Sequence, residues 1–151
     1  MVKITEILKE QHINLNIEAR EKPEAISELL ELVDDSQATK DREALYQCLM
    51  EREELETTGI GDGIGLPHGR TDDVSELTIL FGYSARGIEF QALDGRPVHV
   101  IFLILAPKKS STKLLQTLAK ISRLVNNKDF RKCIGISKTP AALIELIRSK
   151  E

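Results

Sequence analysis

The sequence predicts an α/β fold, a mixed β-sheet flanked by helices on both faces, and three observations carry that prediction. Val98 to Leu105 is apolar at almost every position, as expected of a central strand covered on both sides. Strand-type and helix-type apolar patterns alternate along the chain, which layers helices onto a sheet. At 151 residues, 41% hydrophobic and 30% charged, the chain has the size and balance of one soluble domain, so residues 1–151 read as a single unit.

The elements follow in order. Ile4, Ile7 and Leu8 share helical spacing within residues 1–10, and Ile13 to Ile17 reads as a brief extended piece. Pro23 suits the first turn of a helix that runs to Val33 with Ile26, Leu29, Leu30 and Val33 on one side. Asp34 to Gln37 reads as a loop, and Asp41 opens a helix to Glu54 with Ala44, Leu45, Cys48 and Leu49 inward. A glycine-rich loop then breaks the helical pattern. Leu77–Tyr83 and Val98–Leu105 are strands, separated by turn chemistry at Asp94-Gly95-Arg96-Pro97. A long helix from Thr112 to Val125 presents Leu114, Leu115, Leu118, Ile121 and Val125. A short helical piece surrounds Phe130, and Thr139-Pro140 opens a last helix that buries Leu143, Leu146 and Ile147.

Bulk properties exclude several function classes. A net charge of −3 argues against a nucleic-acid binder, and 4% aromatic residues with no tryptophan leave no stacking platform for bases. Cys48 and Cys133 stand far apart in no metal or redox spacing, which fits a reduced, cytoplasmic protein. No signal-peptide pattern opens the chain, and its longest apolar run, Val100 to Ala106, is too short for membrane insertion, which takes about 20 residues.

The segment Thr58-Gly59-Ile60-Gly61-Asp62-Gly63-Ile64-Gly65-Leu66-Pro67-His68-Gly69-Arg70 is the most informative. Glycine-rich nucleotide loops need G-x-G-x-x-G or G-x-x-x-x-G-K-[ST]; neither completes here, and no Gly-Lys pair exists in the chain. His12, His68 and His99 share no ligand spacing, so neither a metal nor another cofactor is expected. His99 lies within the central strand as a sheet-face histidine, and His12 follows a helix and is expected to face solvent. His68 differs from both. An imidazole on a tight, bare backbone is open to a partner and close to main-chain N–H groups, which suits a phosphoryl acceptor. Arg52, near the end of the helix feeding this segment, brings a permanent charge whose paired donors match phosphate oxygens.

Taken with Met50-x-Arg52-Glu53, this segment resembles the active-site signature of phosphotransferase-system enzyme IIA domains of the fructose/mannitol type, a group that includes nitrogen-regulatory IIA proteins. Leu93-Asp94-Gly95-Arg96-Pro97-Val98 and Leu118-Ala-Lys-Ile-Ser-Arg-Leu124 extend the resemblance over nearly the whole chain. It implies a cytoplasmic phosphocarrier in which His68 takes a phosphoryl group from an HPr-like carrier or its nitrogen-branch counterpart and Arg52 neutralises it. Thr58, Gly59, Gly61, Gly69 and Arg70 are the expected phosphate-loop positions, with backbone N–H groups of the loop as helpers. One departure stands out: members often carry a second histidine at the start of the helix after the central strand, where this chain has Leu114, so Lys113 or Arg70 would have to substitute.

Three functions compete at this stage. A nitrogen-regulatory phosphoprotein is favoured because no IIB, IIC or HPr-like segment is seen up to Glu151. The alternatives are a sugar-specific IIA subunit that donates to a IIB partner, and an unphosphorylated interaction module with regulatory protein targets.

Overall fold

Residues 2–33 and 42–151 are described by a computed structural model. The expected Asp34–Gln37 loop and the Asp41 helix start lie outside them. Helix α1 (Ile4–Ile7) and a 3-10 turn (Glu10–His12) lead into strand β1 (Ile13–Asn14), followed by α2 (Lys22–Leu30) and α3 (Arg42–Leu55). Three short strands come next: β2 (Gly59–Gly61), β3 (Ile64–Gly65) and β4 (His68–Arg70). The long strands β5 (Thr78–Ile88) and β6 (Val98–Ala106) precede α4 (Ser111–Val125), α5 (Lys128–Ile134) and α6 (Pro140–Lys150).

The sheet is mixed, as expected, in the order β1-β5-β6-β3-β2, with β4 also paired to β6. β5 runs antiparallel to β6, while β3 and β4 run parallel to it along the same edge. Side chains alternate across a strand, so β6 feeds two cores. Val100, Phe102, Ile104 and Ala106 pack toward α1, α4, α5 and α6, and Ile101, Leu103 and Leu105 toward α2 and α3. On the first side Phe81 and Phe102 meet edge-on, ring centroids 5.0 Å apart, a geometry that adds about 0.5–1.5 kcal/mol to simple burial. Arg42 donates to the carbonyls of Leu30 and Val33, so α3 starts against the end of α2. Asn127 caps α5 and Thr139 caps α6 through their side chains.

Three expectations are corrected. The glycine segment is not an open loop: it forms a β2–β3 hairpin and then β4. Its turn, Asp62-Gly63, has positive φ at both residues (56° and 77°), the conformation that Asp-Gly hairpins adopt. The glycines facing Phe90 are bare for reasons of space, since a Cβ on Gly59 or Gly65 would come within 3.2 Å of that ring. His12 is fully buried, because the 3-10 turn that carries it packs beside α6 and β5. Leu115 is 67% exposed, since adjacent Leu114 takes the core-facing position and neighbours on a helix point about 100° apart. His99 is a sheet-face histidine as expected, its Nδ1 2.8 Å from the Ser84 carbonyl.

Candidate functional site

Strand β4 places its side chains by register. His68 pairs with Ile104 and Arg70 with Ala106, so both lie on the α4 side of the sheet. Gly69, opposite Leu105, faces α3, where its hydrogen lies against the Cys48 thiol. A Cβ at residue 69 would stand 2.7 Å from Cys48 Sγ. Gly69→Ala is therefore expected to cost about 1–3 kcal/mol by pushing β4 off α3, and Gly69→Ala/Cys48→Ala to recover most of it, as read by urea unfolding. An equally destabilised double variant would place the strain elsewhere.

Beyond β4 an open cleft of about 640 Å³ lies between α3 and α4. Cys48, Glu51, Arg52 and Leu55 of α3 form one wall, and Ser111, Leu114, Leu115 and Leu118 of α4 the other. His68, Gly69 and Arg70 form the floor, with Lys108 completing the rim. The half-buried His68 ring folds back so that Nδ1 lies 2.8 Å from the Leu66 carbonyl. A carbonyl only accepts, so Nδ1 carries the hydrogen and donates, which leaves the Nε2 lone pair available. Burial pushes the imidazole below its usual pKa range and the Arg52 charge adds to this; the Leu66 hydrogen bond and Glu53 pull the other way without reversing it. The ring is thus neutral and nucleophilic near pH 7.

Arg52 is held by donating from Nη1 to the Glu56 carbonyl at 3.0 Å, closing the end of its own helix. Arg70 Nη1 donates to Ser111 Oγ at 2.8 Å. Burial pushes the Cys48 thiol pKa up, so it stays protonated and donates to the Arg70 carbonyl.

The expected phosphate loop divides in two. Gly69 and Arg70 line the cleft with His68 and Arg52, whereas Thr58, Gly59 and Gly61 do not. The Thr58 hydroxyl and N–H both donate to the buried Glu53 carboxylate, and the Gly59 N–H donates to Thr57 Oγ1. Asp62 N–H goes to Asp94 Oδ2, whose other oxygen accepts from Arg96 N–H; these hydrogen bonds hold the Asp94 carboxyl below its usual pKa range. Lys113 lines a different surface groove with Lys3 and Lys109, apart from the cleft that holds His68.

Sequence reasoning passed over Lys108 and Ser111, some forty residues beyond His68 and joined to it only through strand pairing. It also passed over the leucine rim, where Leu55 is 82% exposed; two consecutive leucines at 114 and 115, which cannot both face the core, were the available signal. Among the described residues no cluster of three metal-ligating side chains occurs.

A family model described as "Phosphoenolpyruvate-dependent sugar phosphotransferase system, EIIA 2" matches residues 6–150. The chain belongs to this family. Against the fructose-specific EIIABC component of Bacillus subtilis it is 35% identical over 99% of its own length, but spans only 24% of that protein. Against the fructose-specific EIIA component of Haloferax volcanii it is 44% identical over 71% of this chain and 70% of that one. The crystal structure of nitrogen regulatory protein IIA-Ntr from Neisseria meningitidis superposes with a TM-score of 0.89 at 29% identity, covering 95% of this chain and 98% of that chain. The EIIA family thus reaches this chain through both sugar-type and nitrogen-regulatory relatives. No helix among the described residues of this EIIA chain is long and apolar enough to cross a membrane.

Proposed function

We propose that residues 1–151 act as one cytoplasmic EIIA phosphocarrier, in which Nε2 of His68 accepts a phosphoryl group from an HPr-like phosphohistidine protein. The observation that carries this reading is the tautomer: Nδ1–H is engaged by Leu66, and Nε2 is left as nucleophile in a cleft shared with Arg52 and Arg70. The Nε2–P bond forms as the donor's N–P bond breaks, and the electron pair of that bond returns to the donor ring. Such a transfer needs positioning and charge neutralisation more than covalent help. Leu66 keeps the Nδ1 proton, so the phosphorylated ring remains cationic and a good leaving group for onward transfer. Incubation with a phosphorylated HPr-like donor should add one acid-labile phosphoryl group by intact mass. A chain that gains none would overturn the reading.

Arg52→Gln should slow uptake by about ten- to a hundredfold, the range of a lost charge-stabilising donor. It also removes a charge that depresses the His68 pKa, so the acid limb of the rate profile should move to higher pH. An unchanged rate and an unmoved limb would take Arg52 out of the site.

Downstream, the reading is a nitrogen-regulatory type, supported by the near-complete structural match to IIA-Ntr. The higher identity to the fructose-type relatives supports a second reading, a sugar-specific IIA that discharges to a IIB partner. Discharge of the phosphorylated chain by a fructose-type IIB domain separates the two.

A further inference from the structure

A phosphoryl group on a ring nitrogen carries about two negative charges over three oxygens, and one planar guanidinium bridges two of them at most. Arg52 reaches the cleft from α3 only. On the opposite side three residues from separate segments are linked. Ser111 Oγ accepts from Arg70 Nη1 at 2.8 Å and donates to the Lys108 carbonyl at 3.1 Å. The Lys108 N–H in turn donates to Asp72 Oδ1 at 3.1 Å, which fixes the loop after β6. Arg70 follows His68 by two residues on β4, so their side chains share one face. Helix α4 offers Leu114, Leu115 and Leu118 to the cleft beyond Ser111, and among the described lining residues Glu51 is the one carboxylate. The positive charge facing Arg52 therefore comes from Arg70 and Lys108.

We propose that Arg70 and Lys108, aligned by Ser111, form a second phosphate-holding arm that takes the oxygen Arg52 leaves uncovered and protects phosphorylated His68 from water. The inference rests on the phosphocarrier reading. Hydrolysis breaks the Nε2–P bond, returns its electron pair to Nε2, and adds a water oxygen to phosphorus, releasing inorganic phosphate. As the bond loosens, charge drains from the peripheral oxygens of the metaphosphate-like phosphoryl group into the departing ring nitrogen. Cations fixed on those oxygens hold the bound state more strongly than the transition state, so the loss slows. Ser111 is a positioning residue in this arrangement, and Arg70 and Lys108 touch the group.

The test uses the full chain loaded by a phosphorylated HPr-like donor and separated from it, followed by phosphorus NMR and intact mass. Lys108→Met and Arg70→Met should each shorten the phosphohistidine lifetime about fivefold, the scale of one partly exposed charge-assisted contact. Ser111→Ala should shorten it about threefold, and Lys108→Arg should restore it. Each lifetime change should come with a moved phosphorus resonance and an unaltered melting temperature, which separates contact with the group from general loosening. Wild-type lifetimes in both Met variants would overturn the arm while leaving the phosphocarrier reading in place. A wild-type chain that never loads overturns that reading and the arm together.

Discussion

His68→Asn is expected to fold with near wild-type stability and to take up no phosphoryl group at all. The asparagine amide can occupy the place of the Nδ1–H and donate to the Leu66 carbonyl, which His68 engages at 2.8 Å, but it presents no lone pair where Nε2 stood. His68→Ala should be equally inert while losing that hydrogen bond, at about 1 kcal/mol. Intact-mass measurement after incubation with the phosphorylated donor decides the outcome, and labelling of either variant at the wild-type level would remove His68 from the acceptor role. A pH signature accompanies the loss. The folded His68 pKa is lowered, so the unfolded chain binds more protons in the window below about 6.5. Stability contributed above that window is lost as pH falls through it. Both variants should flatten this slope in urea titrations between pH 7 and pH 5, and wild-type uptake should persist below the ordinary imidazole pKa.

The parts of the fold visible in the sequence are those where one physical cause acts alone. The β6 run is apolar because two cores meet on it, and nothing else writes seven consecutive apolar residues, Val100 to Ala106, so short of a membrane span. Thr139-Pro140 declares its helix because a cap and a fixed φ are local requirements. Residues 58–65 were harder, since alternate glycines can mean either a bare loop or a strand face pressed on a ring; Phe90, remote in sequence, decides for the strand. His68 and Arg52 were legible as chemistry because helix and segment adjoin in the chain. The cleft around them was not, because it is assembled by β6 pairing with β4 and by the turn into α4. His12 was misplaced because a polar residue after a short helix ordinarily reads as solvated.

The largest stability effect should come from a pair that the sequence conceals entirely. Lys22 opens α2 and Glu53 sits near the end of α3, in runs of charge that read as solvated faces, yet their side chains are 7% and 2% exposed and meet at 2.9 Å. The Lys22 ammonium also lies 4.7 Å from the Phe90 ring centroid, against the ring that underlies the glycine hairpin. The same Glu53 carboxylate receives the Thr58 N–H and hydroxyl, so one buried charge ties α2, α3 and the start of β2 together. Lys22→Met leaves that carboxylate without its counter-charge and should cost about 3–5 kcal/mol, a large share of the about 5–15 kcal/mol that holds a domain folded. The melting temperature should fall by roughly 6–20 °C for a chain of this length; a loss under about 1 kcal/mol would mean that Thr58 alone satisfies Glu53. Lys22→Met/Glu53→Leu should recover much of the stability, because a buried ion pair is often matched by apolar packing of similar volume. It should not recover the rate of phosphoryl uptake, since Thr58 then loses the anchor that sets the hairpin leading to His68. Recovery of both together would make the pair a matter of folding only, whereas stability without rate identifies it as the device that fixes the approach of β4 to Arg52.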